Sequence, residues 1–302
     1  MNRSVIVAFI AIIALGGGIY LYYNSQKGAN ESQQTGGHGG TTTTTGGHQP
    51  VAQGQRSYEP EVTSDTTNVK PNRPIKFSYK IKNDKGEVFK DFEVAHEKIM
   101  HFLLVRKDLQ NFQHLHPDFN QATGEFTVDI TFPTEGPYRL FPDFTPGVDN
   151  PQKLPVTVYH DIDVEDMSKY KAQAATPDTQ PKKSFGEYQV AYALPINLTK
   201  QQEVTYVLTI ERNGKAVTDL QQYLGAMGHS VILKEGTLDF IHTHAGEIGT
   251  SGMEHGSMGT NSATGPNINF TTTFPESGVY KIFTQFQHQG KVNTVDYTIK
   301  VN

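Results

Sequence analysis

Two short stretches of this chain hold the side chains best suited to chemistry, 112-FQHLHP-117 and 240-FIHTHA-245. Each contains a His-x-His step preceded two residues earlier by Phe. Each also follows another histidine by thirteen residues, His101 before His114 and His229 before His242. Side chains alternate along a strand with period two, so His114 and His116, like His242 and His244, point to one face. Their Cα atoms are then about 7 Å apart, a spacing from which two imidazoles converge on one ion. A single strand histidine is ordinarily surface decoration or a hydrogen-bonded core residue. Three histidines on one hairpin, twice over, point instead to metal coordination, and these six are half of the twelve in the chain.

The third histidine of each set must come from across a turn. Folding the first hairpin about residue 108 sets His101 against Leu115, and folding the second about residue 236 sets His229 against Thr243. Strict registry leaves each on the wrong face, and a bulge, or an odd-length turn that shifts the register by one, brings it onto the side of the His-x-His pair. The expected metal ligands are therefore His101, His114, His116, His229, His242 and His244.

Cysteine is absent, which excludes disulfides, thiolate ligands and the blue-copper ligand set. Imidazole suits copper, zinc and nickel, and an open three-histidine site fits Cu(II) or Zn(II). Met253, His255 and Met258 in 252-GMEHGSMG-259 add thioether and imidazole donors, which favours copper, with zinc as the alternative. Further candidate ligands are Asp143 in the first set and Gln285 or His288 in the second. Asp108 and Asp118 lie near the first set, but paired acid–base carboxylates, a nucleophile elbow and a phosphate loop are all missing. The expectation is coordination without turnover, with an open-site metalloenzyme and a structural or adhesive module as alternatives.

The elements that position these residues read as strands. Runs such as 76-KFSYKI-81, 126-FTVDITF-132, 204-VTYVLTI-210 and 295-VDYTIKV-301 are separated by turn signals, 83-NDKG-86, 212-RNG-214 and 276-ESG-278. The second half repeats the first. An offset of 128 lays His101, His114 and His116 on His229, His242 and His244 without a gap. The offset then becomes 142, laying 132-FPTEGPYRLFPDF-144 over 274-FPESGVYKIFTQF-286, so the second copy carries a fourteen-residue insertion within 245–267. The predicted fold is all-β, two tandem β-sandwich domains over 58–166 and 167–302.

Residues 5–23 form an uncharged, mainly apolar run after Arg3, close to the roughly 20 residues a membrane-spanning helix needs. A signal anchor over 1–23 is expected, with the bulk of the chain outside the cytoplasm. Secretion after signal cleavage is the alternative. Residues 24–57 are low in complexity and read as a flexible tether, in which His38 and His48 are solvated. A net charge of −5, without a basic run, gives no support for a nucleic-acid partner.

The segment 223-YLGAMGHSVILKEGTLDFIHTHA-245 resembles a pattern in bacterial extracytoplasmic proteins concerned with heavy metals and copper handling. The first copy, 100-MHFLLVRKDLQNFQHLHP-117 followed by FPTEGPYRLFPDFTPG, resembles the same pattern. The resemblance implies tandem Ig-like or cupredoxin-like sandwiches that buffer, deliver or sense copper at the six histidines. A copper transporter or chaperone is the kind of partner it implies.

Overall fold

The structure is a computed structural model that describes residues 57–148, 150–165, 167–245 and 265–302. The expected anchor (1–23), nearly all of the tether and the Met253, His255 and Met258 loop lie outside the described residues. Among the described residues no helix is long and apolar enough to cross a membrane, and the one helical element is a 3-10 turn, Met167–Lys169.

The chain is all-β. Its first part runs β1 (Tyr58–Val62), β2 (Pro74–Asn83), β3 (Phe92–Glu93), β4 (His101–Arg106) and β5 (Gln110–Leu115). It continues through β6 (Asp118–Asn120), β7 (Glu125–Thr131), β8 (Gly136–Pro146), β9 (Val156–Thr157) and β10 (His160–Val164). One sheet has the order β1-β2-β7-β6, the other β10-β8-β4-β5 with β3 and β9 also on β8. The second part holds β11 (Lys182–Phe185), β12 (Tyr188–Ala193), β13 (Glu203–Arg212), β14 (Lys215–Ala216) and β15 (His229–Lys234). After these come β16 (Phe240–His244), β17 (Asn267–Thr273), β18 (Gly278–His288) and β19 (Lys291–Val301). Its sheets are β11-β12-β13-β14, with β17 on β13, and β16-β15-β18-β19.

Each part is a sandwich, because alternating residues of its two sheets meet in a shared apolar core. Phe77, Tyr79 and Ile81 of β2 alternate inward and pack with Phe102 and Leu104 of β4 and Tyr138 and Leu140 of β8. Tyr79 stacks on Phe102 at 5.3 Å between ring centres, joining the two sheets. In the second sandwich Val204, Tyr206, Leu208 and Ile210 of β13 play the same part against Tyr280, Ile282 and Phe286 of β18. The Tyr206 hydroxyl there donates to Ser230 Oγ across 2.8 Å.

β4 and β15 differ from an ordinary sandwich strand. All of β4 and all but the last residue of β15 are buried, so both of their faces are covered. Phe102 and Leu104 face the first core, whereas Leu103 and Val105 join Leu109, Phe141, Val231, Leu233, Leu238 and Phe283 in a third apolar cluster. That cluster is the seam between the two sandwiches. Phe112 stacks on Phe283 at 4.4 Å, and Phe141 on Phe240 at 5.4 Å. The sequence repeat carries Phe112 to Phe240 and Phe141 to Phe283. The two stacks are therefore one contact seen from both sides, as in a two-fold dimer interface. The connecting segment is bonded to both hairpin turns: Gln173 N donates to Asp108 Oδ2 at 3.0 Å and Ala175 N to Glu235 Oε1 at 2.8 Å.

Candidate metal centre

The hairpin registers put the third histidine of each set with the other two. Leu103 pairs with His114 and Phe102 with Leu115, after a bulge between Leu104 and Arg106. In the second sandwich His229 pairs directly with His244, and Val231 with His242. The register is one residue away from the strict fold about residues 108 and 236, which is the shift that places His101 and His229 on the face of their pairs. That face is the seam, not the core, because Leu103 and Val231 occupy it too. Along β8 and β18, Asp143 lies opposite His101 and Gln285 opposite His229.

The ligand-capable nitrogens of His101, His114 and His116 lie within 4.8 Å of one another, as do those of His229, His242 and His244. Their hydrogen bonds decide which nitrogen is available. His101 Nε2 faces the Ala95 carbonyl at 3.2 Å, and His229 Nε2 faces the Tyr223 carbonyl at 2.8 Å. A carbonyl only accepts, so both protons sit on Nε2 and both Nδ1 atoms carry lone pairs. His114 Nδ1 donates to Gln285 Oε1 at 2.7 Å, and His242 Nδ1 donates to Asp143 Oδ2 at 3.0 Å, leaving both Nε2 atoms as lone pairs.

These lone pairs point at one another. His101 Nδ1 and His114 Nε2 are 3.0 Å apart, two acceptors without a proton between them. Tetrahedral coordination with bonds of about 2.0–2.1 Å sets ligand nitrogens about 3.3 Å apart, so this spacing suits a shared ion. His116 Nε2, His229 Nδ1, His242 Nε2 and His244 Nε2 are buried without a hydrogen-bond partner, half of the eight such side-chain atoms among the described residues. Buried polar groups are ordinarily paired, and this concentration of exceptions marks a site shaped for something else.

Burial favours the neutral form of five of these rings, the form metal ligation requires. It pushes His116 and His229 down to about 3, helped by the neighbouring rings of His101 and His242 respectively. It also lowers His101 and His244, and it holds His114 well below the ordinary histidine range. The unfolded chain takes up protons on these side chains below about 6.5, whereas folded His116 and His229 do so only near 3. Their contribution is neutral above about 6.5 and destabilising as the pH falls towards 3. Metal-free protein is therefore expected to show a lower urea midpoint at about pH 5 than at about pH 7.5. An unchanged midpoint would contradict buried neutral imidazoles.

The further candidate ligands take other roles. Asp143, 4% exposed, orients His242 of the opposite sandwich, and its Oδ1 accepts from Thr157 Oγ1 at 2.8 Å. Gln285 orients His114 from across the seam, and its Nε2 donates to Thr294 Oγ1 at 3.0 Å. These contacts fix the tautomer and direction of His242 and His114. His288 has both nitrogens engaged, Nδ1 with the Tyr188 hydroxyl at 2.8 Å and Nε2 with Asp219 Oδ1 at 3.0 Å, so neither faces an ion. Asp108 is tied to Arg106 by two bonds, Nε to Oδ1 at 2.8 Å and Nη2 to Oδ2 at 2.9 Å.

One residue escaped the sequence reading. His96, on the turn before β4, stacks on His244 at 3.6 Å between ring centres and reaches the second set from the first sandwich. Position 224, its counterpart in the repeat, is Leu, so comparing the copies does not single it out. The shared feature is the backbone: His96 has φ 49° and Leu224 φ 53°.

A family model described as Domain of unknown function (DUF8832) matches residues 55–166 and 183–302, which are the two sandwiches. No curated protein matches the sequence. Among solved structures, the chain is similar to alpha-2-macroglobulin from Salmonella reacted with methylamine, at 9% identity and a TM-score of 0.25. The match covers 80% of this chain and 15% of that one. It is also similar to the Dpr2 Ig1-Ig2 complex with DIP-Theta Ig1-Ig3, at 10% identity and TM-score 0.19, covering 80% of this chain and 98% of that one. For the ICAM-5 D1-D4 ectodomain fragment the identity is 8%, the TM-score 0.21 and the coverage 81% and 53%. At such scores these likenesses carry no functional argument.

Proposed function

The chain belongs to the DUF8832 family, and on that premise we propose a membrane-anchored, extracytoplasmic metal-binding protein that buffers, delivers or senses copper. The observation that carries the reading is the pair of three-histidine sets with buried lone pairs turned inward. Each set offers three neutral imidazoles and an open position, the ligand type that copper and zinc both accept. Copper binds such sites more tightly in the usual order of divalent ions. Met253, His255 and Met258 and the absence of cysteine add to the preference for copper over zinc. The apolar run at 5–23 supports the anchor, and tandem Ig-like or cupredoxin-like sandwiches are the fold class that fits this role. A copper transporter or chaperone is the proposed partner, and the protein acts by coordination without turnover.

Titrating the full chain with Cu(II), Cu(I) and Zn(II) tests the reading. Two ions per chain are expected, with the tightest binding by copper. His114→Ala with His116→Ala removes one ion, and His242→Ala with His244→Ala removes the other. Binding no tighter than micromolar, or binding untouched by all four substitutions, leaves a structural or adhesive module as the better account. Oxidase or hydrolase turnover by the loaded protein would instead favour an enzyme.

A further inference from the structure

We propose that the two three-histidine sets are halves of one dinuclear centre across the seam, and that the half backed by Asp143 fills first. The proposal rests on the reading of these histidines as metal ligands.

The rings of opposite sets lie only slightly farther apart than rings within a set. His101 and His242 are 5.6 Å apart between ring centres, His101 and His229 6.3 Å, His114 and His242 6.3 Å, and His114 and His229 6.5 Å. Inside the sets the corresponding distances run from 4.4 Å for His242–His244 to 6.1 Å for His229–His242. An ion lies about 3 Å from the centre of each imidazole that binds it, so ions in the two sets are nearest neighbours with only imidazole edges between them. The supporting contacts cross the seam as well. The first sandwich's Asp143 holds His242, and the second sandwich's Gln285 holds His114. Neither half has its full set of supports without the other.

Two divalent ions this close repel, so the second binds more weakly than the first. Six neutral imidazoles bring no charge to offset them. The two halves differ in this respect, because His242 leans on a buried carboxylate and His114 on a neutral amide. A carboxylate behind a ligating imidazole raises its basicity and attracts the cation. The first ion therefore goes to His229, His242 and His244.

Electron paramagnetic resonance of the full chain loaded with one and then two equivalents of Cu(II) tests both parts. One equivalent is expected to give a single-ion spectrum. The second brings a half-field transition with loss of intensity in the main region. Supplying Zn(II) as the second ion restores the single-ion spectrum without any substitution. For filling order, His242→Ala with His244→Ala is expected to abolish the tighter step, and His114→Ala with His116→Ala the weaker one, the steps differing by about tenfold. Two histidine-bound coppers with full single-ion intensity and no half-field transition overturn the dinuclear centre but leave metal binding intact. A single copper lost on changing either set does the same, and the reverse order of steps overturns the role given to Asp143. Failure to bind copper at all sinks the metal reading itself.

Discussion

Asp143→Ala is expected to weaken copper binding by the second sandwich about 10–100-fold, although residue 143 belongs to the first. The carboxylate is buried and holds His242 Nδ1–H at 3.0 Å while accepting from Thr157. Without it, His242 keeps a buried N–H with no acceptor, a cost of about 1–3 kcal/mol, and can rotate or change tautomer so that Nε2 no longer faces the ion. Asp143→Asn retains an acceptor and loses the charge, so its effect falls between those of wild type and alanine. Gln285→Ala has the mirror effect, weakening the set that contains His114. Stepwise competition with a chelator of known copper affinity reads both constants. A loss confined to the sandwich that carries the substitution contradicts the crossed support, as does no loss at all. Unfolding of the metal-free variants separates loss of ligand orientation from general destabilisation.

Phe283→Ala should have the largest effect on stability at the seam, about 3 kcal/mol, the lower end for removing a buried phenylalanine. Phe283 is 4% exposed, lies in the seam cluster and stacks on Phe112 at 4.4 Å with an interplanar angle of 9°. The lost ring leaves apolar surface on both sandwiches with nothing to fill it. Gln285 lies two residues further along the same face of β18, so copper affinity at His114 should fall in the same variant. Urea denaturation of metal-free protein is expected to change from one transition to two as the sandwiches uncouple. Phe283→Leu keeps most of the volume and should retain a single transition. A loss below about 1 kcal/mol with both copper affinities unchanged would falsify the seam's role in aligning the site.

Much of this arrangement was legible in the residues. The period-two placement of His114 and His116 on one face, the repeat at offset 128 and the turn-punctuated strands all correspond to what the structure holds. The one-residue shift of register was foreseeable as a way to bring His101 and His229 to their pairs, but its cause differs between the copies. The first has the expected bulge, after Leu104, whereas in the second Leu233 pairs with Phe240 across an even-length turn, not the odd-length one expected. What could not be read was which surface the histidine face meets. A histidine row followed by Leu103 and Val105 fits an exposed sheet as well as an interface, and only the burial of both faces of β4 and β15 decides. For the same reason the sequence offers Asp143 and Gln285 only as candidate ligands of their own sets. Their partners lie 99 and 171 residues away in sequence, in the opposite sandwich, and no local pattern encodes that contact. His96 was missed because it comes from a turn and has no counterpart in the other copy.

The paired Phe112–Phe283 and Phe141–Phe240 stacks have a consequence for how the protein can vary. Two identical chains meeting through such a surface must carry the same residue on both sides, so any substitution is made twice. Here the halves occupy separate stretches of one polypeptide, and each side of the axis can change alone. The contacts that need matching shape have stayed matched, phenylalanine against phenylalanine. The positions that set charge and cover have diverged, Asp143 against Gln285 and His96 against Leu224. A tandem chain can thus keep the packing economy of a symmetric dimer while giving its two histidine sets unequal surroundings.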